Sequence, residues 1–170
     1  MERETINGLK PITELPVMEQ FYTLQGEGVY SGQAAYFIRL AGCDVGCTWC
    51  DVKESWDAAA HPKHSIDNLV AEAVKHTGNI VVVTGGEPLM HDLTKLTAAL
   101  QTAGVRTHIE TSGAHPLSGT WDWVCLSPKK FKYPLPQTGE FANELKIIVY
   151  NKHDFKWAEL YAEQVPSSCV

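Results

Sequence analysis

The sequence predicts an α/β fold on a parallel sheet, and three observations carry that prediction. Strand-like segments alternate with segments of helical periodicity, as in βα units. Ile80-Val81-Val82-Val83 is a continuous apolar run, expected of a parallel strand covered on both faces. Five polar signatures, namely the cysteine segment 43–50, Gly85-Gly86-Glu87-Pro88, Glu110-Thr111-Ser112-Gly113, Ser127-Pro128-Lys129 and Tyr150-Asn151, each follow a predicted strand. Ligands of parallel α/β sheets bind at the carboxyl ends of the strands, so five signatures on one rim predict one site there.

Taken in order, residues 1–15 read as an irregular lead-in, with Gly8 and Pro11 and then Pro16. A short strand is expected over Val17–Phe21, turns at Gln25–Gly28 and Ser31-Gly32, and a strand over Ala35–Ala41, rich in aromatic and branched residues. Residues 42–64 read as a long loop carrying the cysteines. Ser65 is placed to cap a helix whose Ile66, Leu69, Val70, Ala73 and Val74 share one face, with Gly78 as its stop. A second helix is expected over His91–Ala103, stopped by Gly104. Strands follow over Arg106–Glu110, Trp123–Leu126 and Glu144–Tyr150, then a helix over His153–Glu163. No repeat or low-complexity segment interrupts the pattern, and 170 residues suit a single domain, 1–170, with roughly 70% of the unfolded surface buried.

Composition excludes several classes. Fourteen basic against twenty acidic residues give a net charge of −6, with no basic patch of the kind that drives nucleic-acid binding. No apolar stretch reaches the roughly 20 residues of a membrane span. The polar, acidic start Met1–Thr5 is unlike a secretory signal, which points to a cytoplasmic protein. Of the five cysteines, Cys43, Cys47 and Cys50 fall in a C-x3-C-x2-C cluster, while Cys125 lies in an apolar strand and Cys169 is nearly terminal. An odd count with one tight cluster is not a disulfide framework. Closely spaced thiolates repel one another unless a cation or cluster neutralises them. A closed zinc site needs a fourth ligand, and the nearest histidines, His61 and His64, lie in a Pro-containing linker. Three thiolates suit a four-iron cluster with one iron left open for a small molecule. Gly42 and Gly46 would let the backbone wrap it.

With Gly-Gly-Glu-Pro following a strand, the three-cysteine motif resembles the radical S-adenosylmethionine (SAM) enzymes, in which SAM on the open iron is cleaved to a 5′-deoxyadenosyl radical. Leu24-Gln25-Gly26-Glu27-Gly28, Phe37–Leu40, Gly42-Cys43, Trp49-Cys50-Asp51, Thr84–Pro88, Ser127-Pro128-Lys129 and Glu144-Leu145-Lys146 are, in that order, similar to the 7-carboxy-7-deazaguanine synthases. The likeness runs from about Phe21 to Val149. It implies a lyase of queuosine biosynthesis that converts 6-carboxy-5,6,7,8-tetrahydropterin to 7-carboxy-7-deazaguanine and ammonia, on a partial parallel (β/α)6-type barrel. It also implies one [4Fe–4S] cluster, SAM, magnesium, a flavodoxin- or ferredoxin-type reductant and a homodimer.

By the same resemblance Cys43, Cys47 and Cys50 ligate the cluster. Trp49, Cys50, Asp51, Gly86, Glu110, Ser127, Pro128 and Lys129 bind SAM, and Leu24, Gln25, Gly26, Glu27, Arg39 and Thr84 hold the substrate. Glu144 is a further candidate beside Glu110. Alternation along its strand sets Arg39 opposite Ile38 and Leu40, facing the lumen, where a guanidinium suits a substrate carboxylate. Two departures stand out. The family's threonine ligand to magnesium is here Val52, which has no side-chain oxygen, so either Asp51, water and substrate hold the magnesium or the metal dependence differs. Family members usually continue through another strand and helix that finish the barrel, a unit expected to be missing from this chain.

Plainer readings exist for the same residues: Arg39 as a structural ion pair, Lys129, Lys130 and Lys146 as solvated or edge residues, Cys125 as core. Of the seven dispersed histidines only His108 sits on a strand near the expected site. Two other functions fit the cysteine cluster: a small radical SAM activase that places a glycyl radical on a partner protein, and a non-catalytic metal-binding or electron-transfer module.

Overall fold

A computed structural model of the chain describes residues 12–170; most of the expected lead-in over 1–15 lies outside the described residues. Seven strands form one sheet: β1 Glu14–Leu24, β2 Ala34–Leu40, β3 Lys63–Ser65, β4 Ile80–Gly85, β5 Arg106–Thr111, β6 Trp123–Leu126 and β7 Glu144–Leu145. Among the described residues three α-helices accompany them: α1 Ile66–Ala73, α2 Thr94–Thr102 and α3 His153–Ala162. The sheet order is β3-β1-β2-β4-β5-β6-β7.

From β2 to β7 every pairing is parallel, as expected. The purely parallel reading needs correction at β1, which runs antiparallel to both β2 and β3. The reason is connection length. Residues 25–33 turn the chain back tightly, with Gln25 N–H donating to the Gln33 carbonyl at 2.8 Å. A parallel neighbour would need a crossover of a dozen or more residues. β1 also extends well beyond Val17–Phe21. The sheet is open rather than closed, and its barrel form stays an implication of the resemblance. At its outer side Val170 bridges β7, accepting from Leu145 N–H at 2.8 Å and donating to the Asn143 carbonyl at 3.1 Å.

The helices follow local rules with two corrections. Ser65 Oγ accepts from Asn68 N–H at 3.2 Å, the cap expected of α1. The helix ends at Ala73, however, one turn before Gly78. Gly78 is needed for another reason: a Cβ there would sit 2.4 Å from the Ala34 carbonyl oxygen. The segment expected to be helical from His91 splits, because Pro88–Met90 makes a separate 3₁₀ turn and α2 begins only at Thr94. Asp92 Oδ1 collects Thr94 N–H at 3.0 Å and its hydroxyl at 2.6 Å. Gly104, at φ +78°, does end α2: its N–H reaches Gln101 O and the next N–H, of Val105, reaches Leu100 O.

The strand expected over Glu144–Tyr150 shortens to Glu144–Leu145. Its parallel partner β6 stops at Leu126, and Pro128 has no N–H to extend the ladder.

Period-two alternation divides the strand residues between two environments. Ile38, Leu40, Val81, Val83, Ile109 and Val124 join Leu69, Leu93, Leu96 and Leu100 of the helical layer in the main core. Ala35, Phe37, Ile80 and Val82 pack on the opposite face with Phe21 and Tyr30. Further along that second face the apolar residues give way to Arg39, Thr84, Glu110 and Lys146. The floor of the site is therefore the continuation of a core face, toward the carboxyl ends of the strands.

Candidate active site

A cleft of about 330 Å³ opens there, within the size range of small-molecule sites. Cys43, Cys47, Trp49, Cys50 and Asp51 line it from the loop after β2. Thr84 and Gly86 come from the end of β4, Glu110 from β5, Ser127 and Lys129 from beyond β6, and Glu27, Arg39 and Lys146 complete it. Four of the five expected signatures thus meet in one site. The fifth, Tyr150-Asn151, does not: Tyr150 is 93% exposed and lines no part of the cleft.

The floor is cross-linked. Arg39 and Thr84 are register partners on β2 and β4. Thr84 Oγ1 donates to Glu110 at 3.3 Å, and Gln25 Nε2 donates to the other oxygen of Glu110 at 3.2 Å. Lys146 Nζ lies 2.9 Å from Glu27 and 3.6 Å from Glu110. Burial works against the Lys146 charge, but Glu110 and Glu27 outweigh it and hold the ammonium protonated well above the ordinary lysine range. Arg39 Nε pairs with Glu19 at 2.6 Å, across the β1–β2 register. The plain reading of Arg39 as an ion pair and the lumen-facing reading both hold. Among the described residues its only hydrogen bond is through Nε; the two terminal nitrogens keep their donors, and the residue lines the cleft.

The rim is the cysteine loop. Its side chains alternate, with Cys43, Val45 and Cys47 turned in and Asp44, Gly46 and Thr48 exposed. Gly42 and Gly46 have φ of +109° and +73°, conformations that a side chain resists. Gly86 N–H donates to the Leu40 carbonyl at 3.0 Å and Glu87 N–H to the Gly42 carbonyl at 2.8 Å. A Cβ on Gly86 would meet Gly42 O at 2.4 Å and Cys43 Cβ at 2.7 Å, so only glycine lets the β4 turn lie against the cysteine loop. Burial pushes the Cys43 and Cys47 thiols up, although Lys129 near Cys47 opposes this. Lys129 itself is lowered by burial, and its Nζ donates to Ser127 O at 2.9 Å and Ser127 Oγ at 2.5 Å.

These residues fit an iron–sulfur cluster with a small molecule beside it. All five cysteines are free, and the three clustered ones open onto one cleft. Thiols with raised pKa become good ligands only when a metal displaces their protons. Among the described residues no three His, Cys, Asp or Glu side chains converge as a single metal ion would require.

Floor and rim are joined by Glu87, which is 1% exposed. Its carboxylate accepts from Thr111 Oγ1 at 2.6 Å, Ser112 N–H at 2.8 Å, Ser112 Oγ at 2.5 Å and Leu89 N–H at 3.1 Å. The sequence shows Glu87 only as part of Gly-Gly-Glu-Pro. That it binds the β4 turn to the end of β5 depends on a partner 24 residues away.

Other expected residues fall differently. Leu24 is 61% exposed and, with Gly26, does not wall the cleft. Pro128 is buried behind it. Glu144 turns aside, accepting from Trp123 Nε1 at 3.0 Å, and packs where a Cβ on Gly28 would come within 1.9 Å of it. Val52 does not line the cleft either; its carbonyl accepts from Ser55 N–H at 3.1 Å and Ser55 Oγ at 2.7 Å. Lys130 pairs with Asp154, away from the site. His108 is 4% exposed and lines a small pocket under the floor, with Nε2 unpartnered among the described residues. Desolvation, helped by Arg106, lowers its pKa to about 4. Cys125 is core, as expected, and burial pushes its thiol up to about 12. Lys146 emerges as a central floor residue, which alternation with Leu145 and Ile147 hints at.

Residues 37–126 match the radical SAM superfamily. A 7-carboxy-7-deazaguanine synthase of Flavobacterium psychrophilum is 58% identical over 156 residues, covering 92% of this chain and 74% of the relative. One of Synechocystis is 50% identical over 160 residues, covering 91% and 77%. The crystal structure of QueE from Escherichia coli superposes with a TM-score of 0.81 at 38% identity, covering 91% of this chain and 79% of that one.

Proposed function

The chain belongs to the 7-carboxy-7-deazaguanine synthase family of radical SAM enzymes, and from that premise we propose how its cleft divides the work of the reaction. It is a lyase of queuosine biosynthesis that forms 7-carboxy-7-deazaguanine from 6-carboxy-5,6,7,8-tetrahydropterin with release of ammonia. The activase and the non-catalytic metal module are set aside by this membership.

The chemistry that a [4Fe–4S] cluster with SAM supplies when bound is the one-electron reductive cleavage that initiates ring contraction. In this reading Cys43, Cys47 and Cys50 hold the cluster at the rim. Trp49, Asp51, Gly86 and Ser127 border the SAM site, with Lys129 beside Cys47, Glu110 reaching up from the floor and Pro128 shaping the turn from behind. The substrate lies over the floor. Arg39 presents its terminal nitrogens to the carboxylate. Glu27 and Glu110, steadied by Gln25, Thr84 and Lys146, accept from the N–H groups of the pterin edge. Leu24 and Gly26 contribute only as backbone flanking Gln25. The single observation that carries this reading is that the thiols and the charged floor share one cleft.

Magnesium is assigned to Asp51 rather than Val52, whose carbonyl is taken by Ser55. The reading takes the described residues as one radical SAM domain and includes a flavodoxin- or ferredoxin-type donor and a homodimer. The dimer is supported by exposed Val149, Tyr150 and Phe155. No helix among the described residues is long and apolar enough to cross a membrane. The test is to incubate reduced, reconstituted protein anaerobically with SAM and the tetrahydropterin acid. Deazapurine absorbance and a product of matching mass are expected; intact substrate beside a fully loaded cluster would refute the assignment.

A further inference from the structure

Asp44 sits between two of the cluster cysteines yet points away from the cleft, and its partners come from far along the chain. His115 Nε2 lies 2.9 Å from Asp44 Oδ1, and Lys132 Nζ lies 2.6 Å from Asp44 Oδ2 and 3.2 Å from His115 Nε2. His115 belongs to the loop after β5 and Lys132 to the loop after β6. Beneath this polar group Val45 and Cys47 pack on Ala114 in a small apolar cluster that Cys43 and Cys50 flank. Beside it Trp49 meets Phe131 edge-on at 6.1 Å, and Lys129 Nζ lies 5.8 Å from the Trp49 ring. The cysteine loop is thus fastened from outside to the two segments whose inner sides carry Ser112 and Ser127 to the site.

The side-chain bonds among Thr84, Glu110, Lys146 and Glu27 stop short of this loop. It is held from within at its start, where Glu87 N–H donates to the Gly42 carbonyl at 2.8 Å and Cys43 N–H to the Trp56 carbonyl at 3.2 Å. The stretch beyond includes exposed Gly46, at φ +73°. We propose that Asp44, His115 and Lys132 are positioning residues that clamp the cysteine loop in the conformation that presents three thiols to one cluster. They touch neither cluster nor substrate. The clamp carries a chain entropy that the metal would otherwise have to overcome, as outer-shell partners do at other metal sites. This rests on the reading that Cys43, Cys47 and Cys50 hold the cluster.

The experiment compares anaerobically reconstituted wild type with Asp44→Asn, Lys132→Met and Lys132→Arg. Two readouts are followed without turnover: the rate at which iron passes to a ferrous chelator, and the paramagnetic resonance spectrum of the reduced cluster. Iron is expected to leave Asp44→Asn and Lys132→Met about tenfold faster, the size typical of outer-shell losses. Their spectra should broaden, and Lys132→Arg should return to within about twofold of wild type because a guanidinium can pair with the same Asp44 carboxylate. Raising salt from about 0.05 M to about 0.5 M should speed iron loss from wild type and leave Asp44→Asn unchanged, since partly exposed pairs are screened. Equal rates and spectra in all four proteins would overturn the clamp, as would a Lys132→Arg protein as labile as Lys132→Met. A wild type that takes up no iron would instead overturn the cluster reading itself. Asp44→Asn and Lys132→Met act from opposite ends, so misfolding of one, seen by circular dichroism, leaves the other as the test.

Discussion

On the floor of the cleft strand residues and residues just past strand ends present inward polar side chains, and these already hold one another: Thr84 to Glu110, Glu110 to Lys146, Lys146 to Glu27 in the turn after β1. At the rim the three thiols face the same space without any such mutual bonds, and burial raises two of them. A floor whose charges are paired in advance can orient a substrate with little rearrangement. A rim of thiols not bonded to one another acquires its chemistry only with what it binds. The difference teaches where each kind of substitution should act: at the rim on cofactor content, on the floor on substrate affinity.

The largest effect should come from the rim. Cys47→Ala is expected to abolish both cluster and turnover while far-UV circular dichroism stays unchanged; a full iron complement in that variant would remove Cys47 from the ligand set. On the floor, Arg39→Ala should leave iron content untouched and lower kcat/KM about tenfold to a hundredfold, the scale of a lost charged hydrogen bond. Steady-state kinetics check it, and unchanged kinetics would free Arg39 from the carboxylate role. Glu87→Gln tests the joint between the two regions. It replaces an acceptor of four hydrogen bonds with an amide that offers one oxygen, and should cost about 2–3 kcal/mol in urea unfolding of the cluster-free chain.

The smallest effect concerns His108 beneath the floor. Its folded pKa of about 4 lies below the unfolded value of 6.5, so between these values the unfolded chain binds the extra proton. Stability linked to His108 is therefore complete above about pH 6.5 and falls as pH drops toward 4. Between pH 7 and pH 5 the loss should be about 2 kcal/mol. His108→Gln should lack that part of the slope, and identical slopes in wild type and variant would contradict the buried neutral imidazole.

Much of the floor was legible in the sequence because strand alternation is local. Knowing that Ile38 and Leu40 face the helices fixes Arg39 opposite them, and the same parity places Thr84 with Val82 and Glu110 with His108. The cysteine motif was legible because ligand spacing is local too. What escaped depends on contacts far apart in the chain. Nothing near Glu87 announces Thr111 and Ser112, nothing near Asp44 announces His115 and Lys132, and Glu144 shares the parity of a floor residue yet is drawn off by Trp123. The antiparallel β1 escaped for a related reason: its direction follows from the brevity of the 25–33 turn rather than from any strand propensity. The short β7 reflects Pro128 on its neighbour, which a reading of β7 alone does not see.

The division between floor and rim is tested most directly by counting iron and acid-labile sulfide in anaerobically reconstituted protein. About four of each per chain are predicted, with brown absorbance that Cys47→Ala lacks and Arg39→Ala keeps. A folded, colourless wild type holding zinc or no metal at all would contradict it.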